Sequence, residues 1–205
     1  SDLYSKHVAD NTDKYDKMVI EKMPDGASHP FFFKGDIKNG FSDESKAWGT
    51  AGMKGYFNGA SYADLDNDGD LDVVMNCINS KAVVLKNNTG GKNNISISFK
   101  GNDANTFGIG CKAYLFQKGK LQYQQLMLTR GFQSSVPPQL HFGLPNAAPI
   151  DSILVVWPNQ QYQVLKNIAA GSRLLVEQGK SGGRFVYDLF FPPQPETLKD
   201  ITAQV

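Results

Sequence analysis

Apolar and polar side chains alternate along much of the second half of this 205-residue chain. The run "ISISFKG" alternates with period two, and apolar runs follow it: "CKAYLFQ", "LQYQQLMLTR", "SILVVWP", "YQVLKNI" and "SRLLVEQ". Turn-forming residues separate these runs at "KGK", "NAAP", "WPNQQ" and "AAGS". Short strands that recur without helical periodicity are typical of an antiparallel β-sandwich or barrel.

The first half of the chain has a less regular pattern. Apolar residues of "TDKYDKMVIEKM" recur at helical spacing, Thr12 or Asp13 can cap the helix, and Pro24 ends it. "HPFFFKGDIKNGFSDES" has two aromatic-containing runs around turn residues and predicts a hairpin. "LDVVMNCIN" and "KAVVLKNN" predict two more strands, and the turn-rich "NNTGGKNN" predicts an internal boundary.

One turn of the chain, "DLDNDGDLD", carries five aspartates on alternate positions with a glycine at position 6. Carboxylates crowded in this way repel one another unless a cation balances them. Calcium takes about six to eight oxygen ligands in flexible geometry, so a tight loop that bends at the glycine can wrap around it. The pattern predicts a calcium site with these ligands: Asp64, Asp66, Asp68, Asp70 (through its backbone carbonyl) and Asp72.

Three other interpretations of this loop are weaker. An EF-hand needs a bidentate Glu at position 12 and two flanking helices, whereas Met75 occupies that position in a predicted strand. A solvated Asp-Asn-Gly turn without an ion needs one or two such residues rather than five. Magnesium prefers few carboxylates and keeps several water ligands.

Composition excludes some classes of partner. The net charge of +1 gives no overall attraction to nucleic acid or to an anionic membrane. No apolar run approaches the roughly 18 residues of a membrane span, so we also expect no direct membrane insertion. Cys77 and Cys111 lie in apolar contexts, which favours two buried free thiols over a disulfide formed in an oxidising compartment.

The sequence does not predict an enzyme. Ser134 or Ser135 with His141 offers a nucleophile and a base, but there is no Gly-x-Ser-x-Gly elbow. His141 lies at an apolar strand, where a structural histidine is the favoured interpretation. Glycoside hydrolysis needs two carboxyl groups across a cleft, and calcium is the better explanation for the clustered aspartates.

Two stretches resemble known families. "NGASYADLDNDGDLDVVMN" resembles an FG-GAP or VCBS-type repeat, the blade motif of integrin-like β-propellers, whose loop holds calcium between two strands. "NDANTFGIGCKAYLF", "RGFQSS", "LHFGL" and "DSILVVWPNQQYQVLKN" are similar to the ASPIC and UnbV domain, which typically follows FG-GAP repeats in secreted or surface proteins. The resemblance covers roughly Trp48 to Gln178, and it carries the repeat's ligands onto the same five aspartates.

Pattern and resemblance together predict a mainly β fold. An antiparallel β-sandwich or barrel-like domain follows a single propeller-blade-like calcium-binding β unit, and one short helix lies near the N-terminus. A closed propeller is not expected, because only one calcium motif is present. The predicted segments are a helix and hairpin that pack against the blade unit (1–47), the FG-GAP/VCBS-like unit (48–89), the ASPIC/UnbV-like domain (90–179), and a linker with the start of a further region (180–205).

We therefore expect a non-catalytic calcium-binding module that is extracytoplasmic: periplasmic, secreted or on the cell surface. Its expected role is adhesion or recognition, of a glycan or a surface protein, within a larger surface protein whose neighbouring domains are also partners. Trp48, Tyr56, Phe57 and Tyr62 are candidates for ligand contact, although packing is favoured for each one. Two alternatives stay open: a structural spacer stabilised by calcium, and an accessory domain of a hydrolase.

Overall fold

The computed structural model describes residues 24–36, 38–89, 93–102 and 104–192. These residues are mainly β, as predicted, and form thirteen strands in four sheets. The helix predicted after Thr12 and the tail from residue 193 lie outside the described residues. The described strands are β1 (Phe33–Asp36), β2 (Gly40–Asp43), β3 (Phe57–Ala63), β4 (Asp72–Cys77), β5 (Val83–Leu85), β6 (Asn94–Lys100), β7 (Lys112–Gln117), β8 (Lys120–Gln125), β9 (Gln139–Gly143), β10 (Ile150–Val156), β11 (Gln161–Ile168), β12 (Arg173–Glu177) and β13 (Gly182–Arg184).

The described residues fall into two compact units. Unit 1 holds those up to Gly59 together with Met75–Val83, and unit 2 holds Ala60–Val74 together with those from Val84 onward. The boundaries fall within β3, β4 and β5, which form one three-stranded sheet in the order β3-β4-β5. The domain division predicted from the sequence stays a prediction.

The predicted hairpin is present in unit 1. Strands β1 and β2 pair antiparallel, with Phe33 opposite Asp43. The hydroxyl of the fully buried Thr50 donates to the carbonyls of Pro30 and Ser45, at 3.1 and 3.2 Å. These bonds fix the chain on either side of the hairpin, where few large apolar residues are buried.

Unit 2 contains a β-sandwich. Its larger sheet is antiparallel in the order β13-β11-β10-β7-β8, and its smaller sheet has the order β12-β6-β9. One apolar core draws residues from both sheets, because alternate side chains of each strand face inward. The largest fully buried members include Ile95, Phe142 and Trp157. The rings of Trp157 and Phe99 pack edge to face, with their centroids 5.7 Å apart.

One strand pairing departs from the antiparallel expectation. Strand β12 pairs with β6 in parallel, with Arg173 opposite Ser96, whereas β9 pairs with β6 antiparallel. The central strand β6 is therefore buried along almost its whole length. A parallel pair needs a long connection between its strands, and the chain from β7 to β11 supplies it here.

Two glutamines join the edge strands of the sandwich. Gln122 and Gln124 of β8 donate through Nε2 to the carbonyls of Gly143 and His141 in β9, at 3.0 and 2.7 Å. The two glutamines are two residues apart in β8, and the two carbonyls are two residues apart in β9. The side-chain amides can therefore take the place of the backbone hydrogen bonds that a neighbouring strand would make to β9. This glutamine pair satisfies an edge that would otherwise present free carbonyls.

The outer face of the larger sheet is covered by the segment after β13. A short helix, α1 (Tyr187–Phe190), follows β13, and Phe185, Phe190 and Phe191 pack against Tyr114 and its neighbours on that face. The sequence predicted a linker from residue 180, but β13 pairs with β11. Cys77 and Cys111 are both buried free thiols.

Candidate metal centre

Four of the five aspartates lie between β3 and β4, and the fifth, Asp72, is the first residue of β4; we call the segment Asp64–Asp72 the acidic loop. The backbone takes a left-handed conformation at Asn67 (φ 63°) and at Gly69 (φ 99°). Asn tolerates this region and Gly prefers it, which explains these residues at the tightest part of the loop. A Cβ at position 69 would also meet Asn94 Nδ2 at 2.5 Å. The backbone conformation favours glycine here, and a larger residue would also have to displace the amide of Asn94.

Three of the predicted ligands come together. Asp64, Asp66 and Asp68 each offer a carboxylate oxygen, and the three oxygens lie within 4.8 Å of one another. The same carboxylates accept bonds from the loop backbone: Asp68 N donates to Asp66 at 3.3 Å, and Gly69 N to Asp64 at 3.2 Å. These bonds turn the side chains toward the inside of the loop, and the cluster can hold a metal ion.

Asp64 is the most buried carboxylate of this cluster. Its side chain is 6% exposed. Its Oδ2 accepts from Gly69 N and from Arg173 Nη2, the latter at 2.9 Å, whereas its Oδ1 is buried without a hydrogen-bond partner. A buried carboxylate oxygen without a donor or cation is unfavourable. The observation fits a site that a cation completes.

The structure places Asp70 and Asp72 differently from the other three. The carboxylate of Asp72 is 2% exposed and accepts two backbone N–H groups, from Leu65 at 2.9 Å and from Asn87 at 2.8 Å. It thereby ties the start of β4 to the beginning of the acidic loop at Leu65 and to the chain after β5 at Asn87. Asp70 lies outside the three-residue cluster, and its backbone N–H donates to Asp68 at 3.0 Å. Their roles as metal ligands stay predictions.

Two basic residues that the sequence did not single out contact the acidic loop. The Lys86 ammonium, next to β5, pairs with Asp66 and lies 3.7 Å from Asp68. This contact lowers the pKa of Asp66 and raises that of Lys86. The guanidinium of Arg173 in β12 donates to Asp64. It also donates to the side-chain oxygen of Asn67 at 2.6 Å and to the backbone carbonyl of Asn67 at 3.1 Å. Lys86 and Arg173 balance part of the negative charge.

The aromatic candidates do not form one group. Trp48 packs against Phe32, and the Tyr56 hydroxyl donates to Asp25 at 2.8 Å. Both lie in unit 1, as does Phe57, whereas Tyr62 lies in unit 2 just before the acidic loop. Tyr62 is the aromatic candidate that lines a cavity within the same unit as the metal cluster.

The residues weighed for catalysis have structural contacts. Ser134 Oγ donates to the carbonyl of Phe132 at 2.8 Å, and the carbonyl of Ser135 accepts from Ser61 at 2.6 Å. His141 Nδ1 lies 3.3 Å from Ser96 Oγ, and burial lowers the pKa of the imidazole. The nearby charges of Asp64 and Asp70 act in the opposite direction. That the chain is not an enzyme stays a prediction.

Comparison with known families supports one of the two resemblances. Residues 101–183 match the sequence profile of the family described as ASPIC and UnbV. The match lies inside unit 2 and confirms the family likeness of this segment, which is less than half of the chain. The FG-GAP or VCBS likeness of the acidic loop stays a prediction. No curated protein matches the chain.

The matched segment is shorter than the compact unit that contains it. Strand β6 ends at Lys100, immediately before the match begins, yet Ile95, Ile97 and Phe99 of this strand belong to the sandwich core. The acidic loop also lies within unit 2.

Among the described residues, no helix has the length and apolar character needed to cross a membrane.

Proposed function

We propose that the acidic loop binds calcium and that the chain is a non-catalytic, extracytoplasmic module for adhesion or ligand recognition. The single observation that carries the metal site is the buried, unpartnered Oδ1 of Asp64 within a cluster of three carboxylates. Hard oxygen ligands in a flexible loop favour calcium over metals that require nitrogen or sulfur ligands. Asp64, Asp66 and Asp68 would hold the ion, and the ion would stabilise the loop rather than take part in a reaction.

Charge supports a cation in addition to the basic side chains. The acidic loop carries five carboxylates, and its ion pairs join Lys86 to Asp66 and Asp68 and Arg173 to Asp64. Both basic side chains are more than half exposed, so water screens much of their attraction. A divalent ion in contact with the carboxylates would be a stronger counter-charge.

The location and the wider role follow from family likeness. ASPIC and UnbV modules are of an extracellular type and are often found in larger proteins. Calcium is abundant outside the cytoplasm, where a loop with a dissociation constant of about 10⁻⁴ to 10⁻³ M would still be occupied. A larger surface protein would use this module for recognition, with neighbouring domains of the same chain as further partners.

Thermal unfolding tests the calcium site. We expect the melting temperature to rise with calcium and fall with a chelator, because ligand at about 100 times its dissociation constant adds about 2.7 kcal/mol to the free energy of unfolding. The double variant Asp66→Ala, Asp68→Ala should lose the response. Asp188→Ala, which removes an exposed carboxylate from α1, is the matched control and should keep it. A wild-type melt that ignores both calcium and chelator would contradict the proposal.

A second variant distinguishes a loop that binds a metal ion from a loop whose negative charge is balanced by Lys86 alone. The Lys86 ammonium occupies the carboxylates of Asp66 and Asp68, so it should compete with a cation for them. Lys86→Met should therefore bind calcium several-fold more tightly in isothermal titration calorimetry. If Lys86 is itself the whole counter-charge, the variant will lose stability and added calcium will not restore it.

The spacer alternative needs a different measurement. A glycan array and a pull-down with surface proteins, each run with calcium and with chelator, should give a calcium-dependent partner for a recognition module. A spacer should give none, although its melt would still respond to calcium. Turnover of generic glycosidase or esterase substrates would instead support the hydrolase alternative.

A further inference from the structure

A cavity of about 540 Å³ lies along β8 and β9 in unit 2, and we call it the β8–β9 cavity. Its volume falls within the range of clefts that hold small ligands, about 300–1,000 Å³. Its floor is apolar and buried, and its rim carries amide, phenol, imidazole and guanidinium groups. The lining residues used below are Leu126 and Leu140 in the floor, and Tyr62, Gln139, His141 and Arg130 in the rim.

Arg130 gives the β8–β9 cavity its charge preference. It is exposed, and its guanidinium makes one long hydrogen bond, from Nη2 to the carbonyl of Gln125 at 3.4 Å. Within the described residues no carboxylate lines the cavity, and none forms an ion pair with Arg130. A guanidinium has two parallel donors that match a carboxylate. The cavity is therefore suited to an anionic ligand.

The other rim groups are suited to hydroxyl groups. Tyr62 is about one-third exposed, and it offers both a ring face and a phenol. Gln139 adds an amide with donor and acceptor atoms. His141 contacts Ser96 through Nδ1, and no described residue hydrogen-bonds its Nε2. Burial lowers the pKa of His141, so the ring is neutral at pH 7 and can accept as well as donate.

The edge of β9 disfavours an extended peptide as the occupant. Peptides that add to a sheet hydrogen-bond to free backbone groups of an edge strand. Here the outward carbonyls of His141 and Gly143 already accept from Gln124 and Gln122. Recognition at this cavity must therefore use side chains. A sugar, with hydroxyl groups around apolar ring faces, matches the mixture of polar rim and apolar floor.

We propose that the β8–β9 cavity binds a saccharide that carries a carboxylate, with the carboxylate on Arg130 and the ring against Tyr62. Gln139 and His141 hydrogen-bond the ring hydroxyls. This inference rests on the proposed recognition function and names its ligand class.

The acidic loop makes this binding depend on calcium. Tyr62 lies two residues before Asp64, and Leu71, directly after Asp70, also lines the cavity. The charges of Asp64 and Asp70 already act on His141 in the cavity wall. A cation held by Asp64, Asp66 and Asp68 adds positive charge beside the cavity, which favours an anionic ligand. Calcium would act in this way without any contact to the sugar.

A matched pair of ligands tests the proposal. The probes are cellobiouronic acid and cellobiose, which differ by one carboxylate, titrated into the protein by NMR or calorimetry with calcium or with chelator. We expect the acid to bind at least about tenfold more tightly than cellobiose in calcium, and chelator to remove this difference. Arg130→Gln should also remove it. Arg184→Gln, which changes an exposed arginine of β13, should leave it intact.

Several outcomes overturn the proposal. They are equal affinity for the two sugars, no binding of either, unchanged affinity in Arg130→Gln, or tighter Arg130-dependent binding of a glutamate-rich peptide. The calcium response of the melt is scored separately. If the melt responds but the acid does not bind, the cavity proposal fails and the calcium site stands. If the melt does not respond, the proposed calcium function fails whatever the cavity binds.

Discussion

The acidic loop and the sandwich core belong to the same compact unit and are held by different forces. The core buries large apolar side chains such as Phe142 and Trp157, so its stability comes from area removed from water. The acidic loop instead holds carboxylates against backbone N–H groups, with Lys86 and Arg173 as counter-charges. From this contrast we expect salt, acid pH and divalent ions to change the stability of the loop more than that of the core.

Deleting a core side chain should have the largest effect. Phe142→Ala should lower the free energy of unfolding by about 3–5 kcal/mol, because it removes a fully buried ring between the two sheets. Urea denaturation should give the same loss with calcium and with chelator. Phe41→Ala is the control, since this side chain is 79% exposed in β2. If calcium restored the stability lost in Phe142→Ala, the core and the acidic loop would be energetically coupled, which would contradict this comparison.

Asp72 lies where the loop meets the strand and should give the next effect. Asp72→Ala leaves the N–H groups of Leu65 and Asn87 without their acceptor, so we expect a loss of about 1–3 kcal/mol. If Asp72 acts mainly as this acceptor, urea denaturation will show the loss in chelator too. A small loss in chelator with a large loss of calcium affinity would instead support the ligand role predicted from the spacing.

Arg173 should have a smaller effect that calcium reduces. Arg173→Gln removes the positive charge beside the buried carboxylate of Asp64, but the arginine side chain itself is 55% exposed. We expect a loss of about 1 kcal/mol in chelator and less in calcium, which can supply the missing charge. Thermal melts of this variant and of Arg184→Gln, measured side by side, give the comparison. An equal loss under both conditions would mean that Arg173 acts through its contacts with Asn67 alone.

The pH dependence of stability should distinguish the acidic loop from the core, and these changes should be the smallest of the series. Lys86 lowers the folded pKa of Asp66, so the stabilisation is present above the usual carboxyl range and is lost as pH falls through the folded pKa. Burial raises the pKa of Cys111 in the core to about 12. The stability contributed by the protonated thiol is therefore complete below about pH 8.5, the usual thiol pKa, and is lost as pH rises from there toward about 12. Melts of Lys86→Met and Cys111→Ala across pH should lose the acid and the alkaline change, respectively.

Local patterns predicted the strands that bury an alternating face. Six strands overlap the apolar runs that the sequence indicated, with ends that differ by one or more residues: β6, β7, β8, β10, β11 and β12. Strand β9 was predicted only as an apolar strand at His141 and without bounds, because "QLHFG" holds only two large apolar residues. Strand β13 consists of "GGR" and is defined by pairing with β11 rather than by side chains. The parallel pairing of β12 with β6 depends on distant segments, and no local pattern reports it.

The metal cluster was predictable in part for the same reason. The spacing of Asp64, Asp66 and Asp68 is local, and the structure brings these three together. The use of Asp72 as an acceptor for two N–H groups depends on Asn87, fifteen residues away. The partner of Asp64 is further still: Arg173 is separated from it by 109 positions. Long-range polar partners follow from topology, which the sequence pattern did not determine.

The parallel pairing of β12 with β6 also sets an order of events during synthesis. Strand β6 ends at Lys100 and β12 begins at Arg173, so the ribosome must add the intervening chain before the smaller sheet can be completed. At about 5–20 residues per second this takes roughly 4–15 s. For that time β6 lacks one of its two neighbours, and its apolar side chains are open to misassembly or to a chaperone. The sandwich thus closes late, when the edge strand β12 arrives beside β6, the first strand of the sandwich.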